Sequence, residues 1–363
     1  MKRKIDWSYL LSLTAAVVLA LVLGGVIMAL AGHNPFHAYA QLCRGATGID
    51  SLAEIGAMFG KRQFGNTIEY AMVLFLTGLA CAIGARVGIF NVGGEGQLYL
   101  GAIVSAYIGV VMSGMSPIIV IPMAAIGAMI VGGFYAWIPG VLKVKLKVNE
   151  VITTIMMNSI AIFFCAYLSN GPWKTSHPNR VSGTDTLAAN LQFDKLIPGS
   201  NLTTAIFASI LIALAIWYVM SKTVTGYEMK LVGHNPRFAR FAGLSVDATV
   251  ITSMVVSGML CGLVGMFEVY GLKGNYQDGI SKEYYFDGLL VAMIMRYKPA
   301  GIIAMSFAFA FLKVGASGME LNAGVPGELY RIIQAIIIFF LAAESGVKQL
   351  LQARRRKAGG SNG

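Results

Sequence analysis

Glycines and polar side chains interrupt the apolar sequence at GIFNVGGEGQLYLGA, Gly88 to Ala102. Some glycine-rich stretches bind the phosphate groups of nucleotides, so the first question is whether this one does. The sequence contains no GxxxxGK[ST] phosphate-binding loop, and Tyr99 stands where a dinucleotide-binding turn needs its third glycine. The stretch also follows an apolar helical pattern instead of a strand, which is the wrong context for such a turn. We therefore predict no cofactor in this chain.

Other residue types that carry chemistry are scattered. His33 and His37 have helical spacing but flank Pro35 in a predicted loop, with no third metal ligand nearby. Four cysteines have neither metal-binding nor redox spacing, and the last three lie in apolar runs as expected for small buried side chains: Cys43, Cys81, Cys165 and Cys261. No acidic cluster or nucleophile with a neighbouring base occurs. We predict no catalytic residue, no metal site and no enzymatic activity.

The elements that carry these residues are those of an integral membrane protein. Of the 363 residues, 56% are hydrophobic and 12% are charged, about half the charged fraction of a soluble protein. The apolar residues form blocks of about 17 to 25, which is the length of a membrane-spanning helix. The net charge of +11 comes from basic residues scattered between these blocks. They indicate membrane topology, and we predict no nucleic-acid partner.

The blocks predict an all-α, polytopic fold of about ten transmembrane helices in a single domain, residues 1–363. The predicted spans are 9–31, 67–85, 97–113, 117–141, 151–169, 203–221, 248–271, 285–297, 299–316 and 328–345, of which the eighth and ninth are short. With the N-terminus inside, 18 of the 28 basic residues lie in inner segments. This asymmetry favours cytoplasmic N- and C-termini.

The same topology places the connections. Residues 1–8 and 346–363 become cytoplasmic tails, 222–247 a cytoplasmic loop, and 32–66 and 170–202 long external loops. The loop 170–202 is either a platform for a partner or an ordinary surface loop. If spans one to five and six to ten are two halves, they form an inverted repeat, which is common in transporters.

The cytoplasmic loop contains a predicted short helix. Asn235 can cap it, Pro236 suits its first position and Gly243 can end it. Phe238 and Phe241 share one side of this helix. It is either a contact surface for a cytoplasmic partner or an interfacial helix with its arginines at the lipid head groups.

Five motifs together resemble one protein family: TGLACAIGARV with GIFNVGGEGQ, NEVITTIMMN, GYEMKLVGHNPRFARFAG and FDGLLVAMIMRYKPAGI. They are similar to permease subunits of bacterial ABC importers of the ribose and branched-chain amino-acid type, and within these to the nucleoside and simple-sugar branch. The resemblance runs in order over about residues 30–345.

The resemblance implies a permease of the bacterial cell membrane with a fold like that of the vitamin B12 importer. It also implies a separate ATPase subunit that holds ATP and Mg, a second and non-identical permease, and an extracytoplasmic substrate-binding protein or lipoprotein. The solute would be a nucleoside or a related simple sugar. The residues that match the family's coupling helix, which sits in a groove of the ATPase, are Gly233, Asn235, Pro236, Arg237, Phe238, Arg240 and Gly243.

Three interpretations of the polar stretch remain open. It is a solvated internal turn, or it enters the bundle and faces the solute, or its side chains join neighbouring helices by hydrogen bonds. The second interpretation has a possible counterpart in Phe286, Asp287 and Gly288, which an inverted repeat would pair with Gly93 to Gln97. Our candidate substrate-pathway residues are Phe90, Asn91, Glu95, Gln97, Tyr99, Asn158 and Asp287, although Asn158 also suits a role as a helix-bridging amide.

The predicted spans contain few ionisable residues. Glu95, Glu268, Asp287 and Arg331 all fall at or near predicted ends, so coupling to an ion or proton gradient is not indicated. The alternative function is a stand-alone channel or an ion-coupled secondary transporter for a small polar solute.

Overall fold

The structure, a computed structural model, describes residues 7–50, 52–176 and 182–340. Within this part of the chain, the regular structure is helical. The α-helices, in chain order, are α1 (Trp7–Leu30), α2 (Pro35–Thr47), α3 (Arg62–Arg86), α4 (Gly94–Val111), α5 (Pro117–Leu146), α6 (Glu150–Asn170), α7 (Ala205–Lys222), α8 (Val224–His234), α9 (Pro236–Phe241), α10 (Val246–Phe267), α11 (Tyr284–Ile294), α12 (Pro299–Ala323) and α13 (Leu329–Phe340). Two 3₁₀ helices, Leu52–Gly60 and Ala189–Leu191, and a π-helix, Glu268–Lys273, complete the set.

Six helical segments of the described chain are long and apolar enough to cross a membrane. They are α3, α5, α6, α7, α10 with its π-helical end, and α12. A seventh is possible if Thr14–Leu30 of α1 and α2, which meet at a 120° bend, form one span. The chain is therefore a polytopic helical membrane protein. Helices lie at all ten predicted positions, but α4, α11 and α13 do not meet this test, so the number of spans stays a prediction.

Two details of the predicted segmentation are wrong. The supposed external loop 32–66 contains α2, which begins where Asn34 Oδ1 accepts hydrogen bonds from the backbone N–H groups of Phe36 and His37, at 3.0 and 3.2 Å. Pro35 occupies the first helical position, as is common at helix starts. The ninth span is also longer than predicted, because α12 continues through polar residues to Ala323 and has 25 residues.

Residues 59–308 form one compact unit built around α3. The membrane-spanning stretch of α3 is 89% buried, against 28% for α5 and for α6, whose exposed side chains are largely apolar. Glycines let α10 approach its neighbours: a Cβ atom on Gly262 would overlap backbone atoms of Ala128, and one on Gly101 would overlap Gly262. Close backbone contact of this kind is a frequent basis of helix packing in membranes.

A second compact unit contains the described residues up to Met58 and those from Phe309 to Phe340. Here α2 crosses α12 at Gly45 and Gly318, where a Cβ atom on Gly45 would lie 2.7 Å from the Cα atom of Gly318. Lys313 donates a hydrogen bond to the Tyr330 hydroxyl and so joins α12 to α13. Residues 1–6 of the predicted N-terminal tail and the whole predicted C-terminal tail lie outside the described residues.

The described part of the predicted external loop 170–202 is packed against the chain after α10. Leu187 N–H donates to Gly274 C=O at 2.7 Å, and Phe193 N–H donates to Tyr270 C=O at 2.9 Å. Leu187 and Leu191 are buried. The segment is thus an ordered part of the unit, while residues 177–181 of the predicted loop lie outside the described residues.

Candidate functional site

The polar stretch Gly88 to Ala102 folds as a turn that leads directly into α4. Gly88 has φ +81°, a conformation that glycine adopts without strain. Asn91 follows with 0% of its surface exposed, and α4 begins at Gly94. Glu95 and Gln97, in the first turn of α4, are also buried, at 5% and 1% exposed. The interpretation of this stretch as a solvated turn is therefore wrong.

Asn91 and Gln97 form a closed pair of amides. Asn91 Nδ2 donates to Gln97 Oε1 at 2.9 Å, and Gln97 Nε2 donates back to Asn91 Oδ1 at 3.2 Å. Asn91 Nδ2 also donates to Ser257 Oγ on α10 at 2.9 Å, and its Oδ1 accepts from Gly93 N–H at 3.0 Å. Because these groups have no access to water, the pair fixes the turn against α10.

Asn158 on α6 joins the same turn from the other side. Its Nδ2 donates to Val92 C=O at 2.9 Å, and its Oδ1 accepts from Gly96 N–H at 2.8 Å. The side chain is 6% exposed. The prediction that Asn158 bridges helices is confirmed, and one amide satisfies two backbone groups at the start of α4.

Glu95 brings the start of α4 together with the start of α11. Its Oε2 accepts a hydrogen bond from Tyr285 N–H at 3.1 Å, and the Tyr285 hydroxyl donates to Asn91 C=O. A Cβ atom on Gly94 would overlap the Tyr285 ring, so only glycine fits there. The structure therefore places the turn that contains Glu95 beside the first turn of α11. A possible inverted repeat would make these two segments counterparts in the two halves of the chain.

The other three pathway candidates lie at the edges of this junction. Tyr99 is buried, and its hydroxyl donates to Ser281 C=O at 3.4 Å. Asp287, half-buried, accepts from the Tyr70 hydroxyl at 2.9 Å. Phe90 is 40% exposed and lies with its ring centroid 6.2 Å from that of Tyr297.

Two buried carboxyl groups near this junction were not among the candidates. Glu69, on α3, is 7% exposed, and Glu268, at the start of the π-helix, is 1% exposed. Within the described part of the chain, Glu268 Oε2 is buried without a hydrogen-bond partner. Glu69 could have been found in the sequence, since it is the single charged residue between Arg62 and Arg86. Glu69 lies near the start of the predicted span 67–85 and was overlooked among the ionisable residues at the span ends.

The short helix predicted in the loop 222–247 is present as α9. Asn235 Oδ1 accepts from Phe238 N–H at 3.0 Å, Pro236 is the first residue of α9, and Gly243 has φ +81° just beyond its end. Ala239 is buried, whereas Phe238 and Phe241 are 56% and 93% exposed. The cap and both ends are as predicted, and the aromatic side of α9 is open.

The loop that carries α9 contacts the backbone next to the polar turn. A Cβ atom on Gly233 would overlap Arg86 C=O, and Gly88 lies close to Gly233. Arg86 also donates to Met220 C=O at 3.0 Å. Arg237 and Arg240 are exposed, and Arg240 forms a 2.8 Å ion pair with Asp247. The α9 loop and the junction of α4 with α11 are therefore connected through the end of α3.

Comparison with known proteins decides the family. Residues 63–342 match the family described as "Branched-chain amino acid transport system / permease component". The chain belongs to this family. Such permeases are transport components, so this chain is a transport subunit and not an enzyme.

Relatives in three organisms are similar over most of the chain. The nucleoside ABC transporter permease NupB of Lactococcus lactis subsp. cremoris is 33% identical over 93% of this chain and 91% of its own length. The guanosine ABC transporter permease NupP of Bacillus subtilis is 32% identical over 96% and 98%. The glucose ABC transporter permease TsgB13 of Haloferax volcanii is 31% identical over 92% and 87%.

Proposed function

We propose that this chain is a permease subunit of an ATP-driven importer for nucleosides. The observation that carries the proposal is the similarity, along more than nine tenths of the chain, to permeases for nucleosides and for guanosine in two organisms. A glucose permease at 31% identity makes a simple sugar the alternative solute of the same importer. ATP and Mg would be held by a separate ATPase, because this sequence contains no phosphate-binding loop.

The proposed assembly contains this chain, an ATPase, an extracytoplasmic substrate-binding protein and a second, non-identical permease. The family supports the ATPase and the binding protein. The permeases NupC and NupQ, from the same two organisms as NupB and NupP, are 23% and 22% identical to this chain, which supports pairing of two different permeases. Residues 1–363 would form one transmembrane domain with ten spans, an inverted five-helix repeat and a fold like that of the vitamin B12 importer, with both termini in the cytoplasm.

The start of α11 would line the solute pathway. The backbone C=O of Tyr284 accepts a hydrogen bond from Thr77 Oγ1 at 3.3 Å. Thr77 lies nine residues before the end of α3, about 14 Å along the helix, so α11 begins deep within the bundle. Lys282 and Glu283 are exposed there. A charged group facing lipid at such a depth would cost about 3 kcal/mol, so this surface faces water or a partner chain.

The candidate pathway residues then divide by exposure. Phe90 and Asp287 are positioned to contact a solute, since both are accessible from the surface of the chain. Asn91, Glu95, Gln97, Tyr99 and Asn158 are buried and would act by fixing the start of α4 against α11, α10 and α6. A nucleoside offers a flat base to Phe90 and hydroxyl donors to Asp287.

The helix α9 would dock into the ATPase. Phe238 and Phe241 offer an exposed aromatic surface, and Arg237 and Arg240 add positive charge beside it. Gly233, Asn235, Pro236 and Gly243 would hold the helix in its bent loop. An interfacial helix would instead insert the two aromatic side chains into lipid.

Charge reversal tests this docking. The full complex carrying Arg237→Glu with Arg240→Glu should lose at least tenfold of the ATPase that co-purifies, because two attractive contacts become repulsive. The matched control is Asp247→Asn, which removes the ion pair with Arg240 and leaves both arginines in place. Full ATPase recovery with the double variant would remove the docking assignment.

Reconstitution separates the importer from the alternative of a stand-alone channel or ion-coupled carrier. Liposomes containing this chain alone should show no solute flux, with or without an ion gradient. Flux through the chain alone would favour the alternative.

A further inference from the structure

A crevice of about 400 Å³ lies between α7 and α10. The helix α7 packs against α8 and α3, whereas α10 packs mainly against α5, α4 and α3, so α7 and α10 share little direct contact. The α7–α10 crevice is lined by Ile216 and Val219 of α7, Met229 of α8, Val256 of α10 and Ile83 of α3. Its volume is within the range of ligand-binding pockets, about 300 to 1,000 Å³.

Both walls of the crevice belong to helices that are long and apolar enough to cross a membrane. Along α10 the lining runs from Ser245, the N-cap, to Val256, which is about 16 Å of helix. Val219 and Val256 are 41% and 36% exposed, so the crevice is open to the surface of the chain. At this depth, an opening faces lipid or a partner chain.

The wall formed by α10 contains hydroxyl groups, but these already have partners within the helix. Thr249 Oγ1 donates to Ser245 C=O at 3.0 Å, and Ser253 Oγ donates to Thr249 C=O at 2.7 Å. Their donors are therefore not free to hold water in the crevice. An empty apolar space would lose dispersion contacts on both walls, so we expect an apolar occupant.

The size of the crevice favours an acyl chain over a helix of a partner protein. A helix is about 10 Å across, so 16 Å of it would fill roughly 1,250 Å³, about three times the volume present. An acyl chain is only one methylene group wide and can lie along the crevice without moving α7 away from α10.

One end of the crevice carries groups of opposite charge. Glu228 of α8 is half-buried in the lining and has no ion pair or hydrogen bond among the described residues. Lys222, the last residue of α7, is exposed and lies in the sequence between two lining residues, Met220 and Thr225. A lipid with a phosphate and an ammonium group would match both charges.

We propose that the α7–α10 crevice binds a phospholipid with a primary-amine head group. Its acyl chain lies between α7 and α10, its phosphate is near Lys222, and its ammonium group donates hydrogen bonds to Glu228. An anionic lipid without an amine would bring negative charge towards Glu228, and a choline head group has no N–H to donate. Because α8 leads into α9 through Asn235, the bound lipid would also support the loop that carries α9.

Mass spectrometry of retained lipid tests the crevice after purification of the complete complex in detergent, which removes loosely held lipid. The wild type should retain phosphatidylethanolamine in a stoichiometric amount. Ala215→Phe and Ala248→Phe, which each place a ring in the crevice, should lower that amount severalfold. Ala208→Phe, at an exposed alanine of α7 outside the lining, is the matched control. Equal retention in the wild type and both crevice variants would overturn the proposal.

The head group is tested with a conservative change at the edge of the crevice. After reconstitution in equal amounts of phosphatidylethanolamine and phosphatidylcholine and renewed extraction, wild-type complex should be enriched severalfold in phosphatidylethanolamine. Glu228→Gln should abolish this preference, whereas Glu328→Gln, at an exposed position, should keep it. The same preference in Glu228→Gln and the wild type would contradict the assignment of the amine to Glu228.

Cross-linking distinguishes the lipid from a protein occupant. A photoreactive amino acid in place of Val219 should attach to phosphatidylethanolamine in the complete complex. Attachment to the second permease instead would assign the crevice to a protein interface and overturn the lipid site. These measurements need no solute and no transport, so a wrong assignment of the solute would leave their outcome unchanged.

Discussion

At the scale of single residues, the polar turn depends on a few amides that replace water inside the bundle. Asn158 alone satisfies Val92 C=O and Gly96 N–H, and Asn91 bonds Gln97 and Ser257. Burying any of these polar side chains without its hydrogen-bond partner would raise the free energy of the folded state. The buried polar residues of this stretch therefore allow the helical structure to be interrupted between α3 and α4, because they supply hydrogen-bond partners to the turn.

Replacing Asn158 should destabilise the protein. Asn158→Leu leaves two buried backbone groups without partners, at about 1 to 3 kcal/mol each, so we expect a marked fall in the thermal unfolding temperature of the purified protein. Asn190→Ala, at an exposed position, is the control. An unchanged unfolding temperature for Asn158→Leu would show that the bridge contributes nothing to stability.

Replacing Glu95 should affect transport more than assembly. In Glu95→Gln the side-chain oxygen can still accept from Tyr285 N–H, so the contact between α4 and α11 is retained while the carboxyl group is lost. We expect uptake to change severalfold with the amount of assembled complex unaltered. If uptake is normal, Glu95 serves only the turn.

At the scale of helices, the positions of the helices along the chain could be predicted from the sequence, whereas the contacts between helices could not. Apolar block length placed helices at all ten predicted segments, and capping residues predicted the ends of α9. The sequence gives no local signal for the bond between Asn91 and Ser257, which are 166 residues apart. Hydropathy averages also concealed Glu69, because one carboxyl group barely changes the mean of a long apolar stretch.

The close packing of α10 against its neighbours at glycine residues can be tested by substitution. Gly262→Leu would place a side chain where backbone atoms of Ala128 lie, so α5 and α10 must separate and the yield of folded protein should fall steeply. Gly114→Leu is the matched control, since nothing lies within 4 Å of a Cβ atom there. Equal yields of folded protein from the two variants, measured by size-exclusion chromatography, would contradict the packing account.

At the scale of the whole molecule, the chain has two exposed surfaces and a set of contacts through the end of α3 that lie between them. The end of α3 contacts both Gly233, next to α9, and the turn that fixes α4 against α11. The aromatic side of α9 and the charged start of α11 are exposed in the single chain. The proposed coupling to an ATPase would need both surfaces and a connection between them.

Solute uptake by the complete complex is the most direct test of this account. Vesicles carrying this chain with the proposed ATPase, second permease and binding protein should take up labelled guanosine only when ATP is supplied, and excess unlabelled nucleosides should compete far better than ribose or glucose. Nucleoside uptake that does not require ATP would contradict the importer assignment, and ATP-dependent uptake of a sugar without uptake of nucleosides would contradict the proposed solute.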